Sequence, residues 1–207
     1  MIKMAFFDAK PYEIEAFRKW NSDGEIDIRY MEHKLNVQTV DSAKGCDVVC
    51  AFVNDTIDAE VLDELKALGV KLVAMRCAGY NNLDLKALGD LKAVRVPAYS
   101  PHAVAEHAMA LLLTLNRKTH KAYNRTREFN FNGLTGVDLY GKTVGVVGTG
   151  RIGRMFIDIC RGFGMKVIAY DMYPVEGIDY VDLDTLFRES DFISLHCPLT
   201  DETHHMV

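Results

Sequence analysis

Gly148, Gly150 and Gly153 fall in the hexapeptide Gly148-Thr149-Gly150-Arg151-Ile152-Gly153, a G-x-G-x-x-G pattern. Glycines at this spacing suit the binding of a dinucleotide. The first permits a tight turn out of a strand, the second lets the backbone approach a pyrophosphate, and the third lets helix and strand pack closely. The free N–H groups and dipole at the start of the following helix favour negative charge. Asp171 lies 23 positions beyond Gly148 (171 − 148), close to the interval of about 20 at which an acid meets the adenosine ribose. Its carboxylate can accept from both ribose hydroxyls and would repel a 2′-phosphate, so the predicted cofactor is NAD rather than NADP.

The flanking segments read as the elements that such a site needs. "KTVGVVG" is a continuous apolar run, as buried parallel strands show. "RIGRMFIDICRGFG" places Ile152, Met155, Phe156, Ile159 and Phe163 on one side of a helix that Gly164 closes. "KVIAYD" is the next strand, "YVDLDTLFRESD" holds a short helix capped near Asp182, and "FISLHCP" is a third strand. His196-Cys197-Pro198 ends that strand, where the chain passes near the crevice outside the carboxyl ends of the sheet. The backbone of Cys197 and Pro198 is the candidate there. The His196 imidazole reads as a partly buried ring satisfied by local backbone.

Residues before the glycine turn alternate in the same way. "IKMAFF", "IDIRYM", "DVVCAFV", "VKLVAM" and "AVRVP" are strand candidates. "PYEIEAFRKW", with Ile14 and Phe17, and "DAEVLDELKALG", with Val61, Leu62, Leu65 and Leu68 on one face, are helices. Such alternation argues for a parallel α/β sheet. Between the two α/β runs, the segment from Ser100 to Asn130 has no strand signal. Ser100 is a good N-cap and Pro101 a good first helical residue. Val104, Ala108, Leu111, Leu112 and Leu115 make a broad apolar face, which predicts a helix packed on several sides, bridging two domains or meeting another subunit. Arg117, Lys118, Lys121, Arg125 and Arg127 read as a solvated face, and "NFNGLTG" as a loop.

Bulk properties exclude several classes. The 207 residues are 49% hydrophobic and 26% charged, with a formal net charge of −5 and no long basic run, so nucleic acid is a poor candidate partner. No apolar stretch approaches the roughly 20 residues needed to span a bilayer, which makes a membrane a poor candidate too. Asp8 and Lys10 interrupt the N-terminus too soon for a signal-peptide core, so a cytoplasmic location is expected. Cys46, Cys50, Cys77, Cys160 and Cys197 are odd in number and form no C-x-x-C pair; reduced thiols are expected. His196-Cys197 and His204-His205 lack metal-ligand spacing, and no metal is expected.

"YGKTVGVVGTGRIGR", "KVIAYD", "DFISLHCPLT", "MRCAGYNNLDL" and "VRVPAYSPHAVAEHA", five separated segments that agree in order, together resemble the D-isomer-specific 2-hydroxyacid dehydrogenases. The likeness covers essentially the whole chain and is far more specific than the glycine turn. It implies an α/β protein with a flavodoxin-like substrate domain, residues 1–99, and the first half of a Rossmann NAD-binding domain, residues 100–207, with the site in the cleft between. It implies reduction of a small 2-oxo acid such as pyruvate by NADH.

By the same resemblance, the "RCAGYNN" loop holds the substrate carboxylate, with the main-chain N–H groups of Ala78 and Gly79 as donors; Gly79 allows a turn whose amides converge on an anion. Arg76 either adds positive charge there or forms a structural ion pair. Tyr99 either lines the substrate pocket or packs at a hinge. The cofactor contacts fall on Arg151 and Ile152 at the pyrophosphate, Asp171 at the adenosine ribose, and Cys197 and Pro198 beside the adenine-side ribose. Thr203 stands where some members carry a cofactor-contacting asparagine. The helix from Pro101 and the arm after it correspond to a subunit interface, which implies a homodimer.

The family's catalytic arginine, glutamate and histidine come from segments beyond the position of Val207, so this chain is expected to be an N-terminal portion, inactive alone, with no catalytic residue of its own. Three Rossmann strands are expected, the third beside the first half of the sheet and the far side of the first strand left bare. A bare apolar edge predicts aggregation or an unusual assembly. Two alternatives stay open: a sister enzyme for a bulkier 2-oxo acid, and a non-catalytic NAD-sensing protein like the corepressors that share the fold.

Overall fold

Short apolar runs linked by amphipathic helices build the first unit of the chain, Met1–Tyr99; the second unit is Ser100–Val207. A computed structural model describes residues 1–207. In the first unit, β1 (Ile2–Phe6), α1 (Pro11–Trp20), β2 (Ile26–Tyr30), β3 (Val48–Ala51), α2 (Ala59–Ala67), β4 (Leu72–Met75) and β5 (Lys92–Arg95) follow one another. All five strands are parallel, in the order β2-β1-β3-β4-β5. That is the flavodoxin-like order, whose ligand crevice lies where the connections reverse, between the first and third strands.

The alternation of β-strand side chains divides the core in two. Val49 and Ala51 of β3 point to one face, with Phe7, Leu35, Leu62 and Leu65. Val48 and Cys50 point to the other, with Met4, Phe6 and the α1 residues Ile14 and Phe17. Asp58 caps α2 by accepting from Val61 N, and Gly69 leaves the helix at φ +82°.

The second unit comprises α3 (Pro101–Arg117), α4 (Thr119–Thr126), β6 (Thr143–Val147), α5 (Arg151–Gly162), β7 (Lys166–Tyr170), α6 (Leu183–Glu189) and β8 (Phe192–Leu195). Ser100 caps α3 by accepting from Ala103 N. The buried residues of α3 are Ala105 and Met109, which join Phe156, Ile157 and Cys160 of α5 in one core. Within this single chain the packing of α3 is one-sided. Leu111 and Leu115 are 52% and 76% exposed, so α3 is buried on one side within the chain rather than on several. Apolar residues all around a helix leave its inward face undefined until a neighbour is present. On α5 the inward face is likewise centred on Gly153, Phe156, Ile157 and Cys160, and Phe163 is 41% exposed. The basic stretch is partly engaged: Lys118 Nζ donates to Gly133 O at 3.1 Å, Arg125 donates to Asn132 O, and Arg127 lies over the Tyr123 ring.

Strand order corrects the sequence reading. The sheet runs β7-β6-β8, all parallel. The third strand therefore occupies the far side of β6 rather than leaving it bare. The outer edge of β7 is taken by a single bridge, Ala169 to Tyr180, through Ala169 N to Asp179 O and Val181 N to Ala169 O, both 2.9 Å. Gly145 lets α6 sit against β6, since a Cβ there would come within 2.6 Å of Leu186 Cδ2. The unpaired edge in this chain belongs to β8, where Ile193 and Leu195 are half-exposed. No helix is long and apolar enough to cross a membrane.

Candidate functional site

The three glycines of the turn stand in different surroundings. Gly148 has φ +94°, and a Cβ there would lie 2.7 Å from Cys197 N. At Gly153 a Cβ would lie 2.0 Å from Gly148 O. Both glycines are demanded by the chain itself, because backbone approaches backbone. At Gly150 a Cβ would meet nothing within 4 Å. The open space lies beside the N-cap of α5, which has no side chain to satisfy the amides of the first turn. Unsatisfied amides at the positive end of a helix fit a pyrophosphate. Arg151 is exposed at this end of the helix, whereas Ile152 packs partly into the core.

Asp171 follows β7 directly, and its carboxylate is held by hydrogen bonds. Oδ2 accepts from Thr149 N at 2.6 Å and from Thr149 Oγ1 at 3.1 Å; Oδ1 accepts from Tyr173 N at 2.8 Å. Partial burial acts to raise its pKa, but the amides of Thr149, Tyr173 and Met172 and the Thr149 hydroxyl more than offset it, and the carboxyl sits below the ordinary aspartate range. It is an ionised acceptor. Thr149 is buried, and its Oγ1 is 2.8 Å from the hydroxyl of Tyr180. The sequence reading singles out neither Thr149 nor Tyr180: an x position of the glycine pattern and a tyrosine in a connecting loop carry no spacing signal.

At the carboxyl end of β8, His196 N donates to Val147 O at 2.7 Å, which brings the backbone of Cys197 beside Gly148. The His196 ring meets Ser194 Oγ at 2.9 Å and packs on Phe156 at 5.0 Å; burial pushes its pKa down. Thr203 spends its hydroxyl on the turn it belongs to, donating to Pro198 O and accepting from Thr200 N, both at 2.7 Å.

In the first unit, Arg76 leaves β4 at the carboxyl end of the sheet. Its Nε donates to Glu13 Oε1 at 2.7 Å and its Nη2 to Asp8 O at 3.0 Å. The guanidinium lies over Phe6 and Phe52, 4.5 and 5.0 Å from the ring centroids. Both members of the Arg76–Glu13 pair are nearly buried, with side chains 10% and 13% exposed, and only Nη1 lacks an acceptor. Next to it, burial holds the Cys50 thiol at about 11, so it stays protonated at neutral pH.

The following loop is tied through its carbonyls. Arg95 Nη1 donates to Ala78 O at 2.7 Å, and Cys77 Sγ lies 3.2 Å from Gly79 O. The N–H groups of Ala78 and Gly79 take no part in this bonding. Gly79 does not have a left-handed backbone, and a Cβ there meets nothing within 4 Å. Tyr99 is 66% exposed.

Known proteins share both units. The sequence model described as "D-isomer specific 2-hydroxyacid dehydrogenase, catalytic domain" matches residues 4–144, and that described as the NAD binding domain of the same family matches residues 109–207. The D-lactate dehydrogenase of Escherichia coli is 49% identical over 215 aligned positions, covering all of this chain and 65% of that protein. The apo-structure of the E. coli enzyme superimposes with a TM-score of 0.90, over 100% of this chain and 68% of that one. D-lactate dehydrogenase from Aquifex aeolicus, solved with NAD and lactic acid, is 32% identical, with a TM-score of 0.80 over 98% of this chain and 63% of that one. The chain spans about 65% of the length of the curated relatives it matches. A glycine turn opening onto free helical amides is common to many nucleotide-binding proteins, but domain matches that together run from residue 4 to residue 207 are not, and they establish that this chain belongs to the D-isomer specific 2-hydroxyacid dehydrogenase family.

Proposed function

We propose that this sequence carries the cofactor- and carboxylate-recognising part of an NAD-dependent dehydrogenase that reduces pyruvate to D-lactate by hydride transfer. The observation that carries the reading is the open space beside Gly150 at the start of α5, with the ionised Asp171 at the end of the adjacent strand. When bound, the nicotinamide cofactor supplies the hydride. The first-turn amides after Gly150, with Arg151 and Ile152, hold its pyrophosphate, and Gly148 and Gly153 shape the turn that presents them. Asp171 accepts from the adenosine ribose. The backbone of Cys197 and Pro198, beside Gly148, borders the other side, with Thr203 holding the Pro198 carbonyl.

The free N–H groups of Ala78 and Gly79 receive the carboxylate of the 2-oxo acid, and Tyr99 faces the substrate. Arg76 contributes by holding the loop, since Glu13 and the Asp8 carbonyl occupy its fork. Reduction places negative charge on the former keto oxygen, which a proton donor must neutralise. His196, the histidine beside the glycine turn, is not free to be that donor: it is packed on Phe156 and bonded to Ser194.

Saturable binding of NADH by this 207-residue chain is the expected result, and no binding would overturn the reading. A homodimer through α3 fits the same reading. Leu111, Leu115, Tyr123, Phe129 and Phe131 are all more than half exposed, an apolar surface of the kind that marks an interface. Light scattering at micromolar concentration should return twice the 23.3 kDa chain mass; a monomer would refute it.

A further inference from the structure

The bridge between Ala169 and Tyr180 does more than close the edge of β7. It delivers the Tyr180 side chain to the glycine turn. Tyr180 Oη accepts from Val175 N at 3.0 Å and lies 2.8 Å from Thr149 Oγ1, which in turn lies 3.1 Å from Asp171 Oδ2. The direction of every proton in this chain is fixed. An ionised carboxylate only accepts, so the single hydroxyl proton of Thr149 points to Asp171. Thr149 Oγ1 must then accept from Tyr180, whose own oxygen accepts from the Val175 amide.

The same counting limits what Asp171 can offer. Oδ2 already receives two donors from Thr149, and Oδ1 receives the Tyr173 amide. A carboxylate has about four lone-pair sites, and the Met172 amide also acts on this one, so at most one remains, on Oδ1. The sequence-based expectation that Asp171 accepts from both ribose hydroxyls is thereby narrowed to one well-directed bond.

We infer that Tyr180 and Thr149 are positioning residues for cofactor selection: their linked hydroxyls fix the Asp171 rotamer so that a single oxygen reads the adenosine ribose, and this relay sets the preference for NAD over NADP. The inference rests on the proposed NAD site at Asp171. Linked hydroxyls polarise one another and act as a unit, so deleting either should have the effect of deleting both.

Fluorescence titration of this chain with NADH and NADPH tests it. Tyr180→Phe and Thr149→Val should each weaken NADH binding about five- to tenfold and narrow the NADH/NADPH ratio. The double variant should be no worse than either single one, and Thr149→Ser, which keeps the hydroxyl, should restore the ratio. A general loss of stability would not produce that non-additivity or that rescue. If Asp171→Asn changes the ratio while Tyr180→Phe and Thr149→Val leave it within twofold, the relay is refuted and the Asp171 site stands. If Asp171→Asn has no effect, or the unmodified chain does not bind NADH, the cofactor reading fails and the relay with it.

Discussion

Arg76 and Asp171 occupy equivalent places, each just beyond the carboxyl end of a parallel strand, and the structure uses them in opposite ways. Arg76 turns inward: Glu13, the Asp8 carbonyl and two aromatic faces surround it. Asp171 turns to the edge of the glycine turn, tied on three sides and open on one. A charge at the end of a strand is therefore not by itself a ligand contact. What decides is how many donors or acceptors the fold leaves unspent. For Arg76 the unspent groups lie next door, on the Ala78 and Gly79 amides; for Asp171 at most one lone-pair site remains, on the residue itself.

Removing the charge from each side should separate a structural role from a binding one. Arg76→Met leaves Glu13 nearly buried without its partner, which should cost about 3–5 kcal/mol of stability. The double variant with Glu13→Gln should recover much of it in urea unfolding. Recovery failing would mean that Arg76 acts through the loop rather than through Glu13. Among the glycines, Gly153→Ala drives a Cβ to 2.0 Å from Gly148 O, and the overpacking should cost about 1–3 kcal/mol or more, read as a lower Tm.

Gly150→Ala sharpens the contrast. Nothing in the chain meets that Cβ, so stability should barely change while NADH binding falls at least about tenfold. Equal losses in both would show that Gly150 is structural. The smallest effect concerns His196, whose folded-state pKa burial lowers below the ordinary 6.5. As pH falls below that value the unfolded chain takes up a proton that the folded ring resists, so stability is present above pH 6.5 and lost toward the folded value. Melting curves between pH 7 and pH 5 should fall more steeply for the unmodified chain than for His196→Gln.

Local patterns made much of the fold legible. The apolar runs became strands, and Ser100 and Asp182 cap helices through their own side chains, because a cap involves residues three apart. The glycine turn was legible for the same reason. Which way α3 faces was not, since its apolar residues span more than one side. Nor was the side of β6 that β8 would join, because strand order is a long-range choice. In the candidate site, Asp171 stood out by its spacing, but Thr149 and Tyr180 did not.

The sequence by itself determined that a strand, a glycine turn and a helix follow one another, with an acid at the end of the next strand. Steric needs of neighbouring residues set that order. Only the tertiary structure decided what each charged group has left to give. Arg76 meets Glu13 across 63 residues and Asp171 meets Thr149 across 22. Hydrogen-bonding capacity is spent by whichever partner the fold brings near, and no local pattern records that partner.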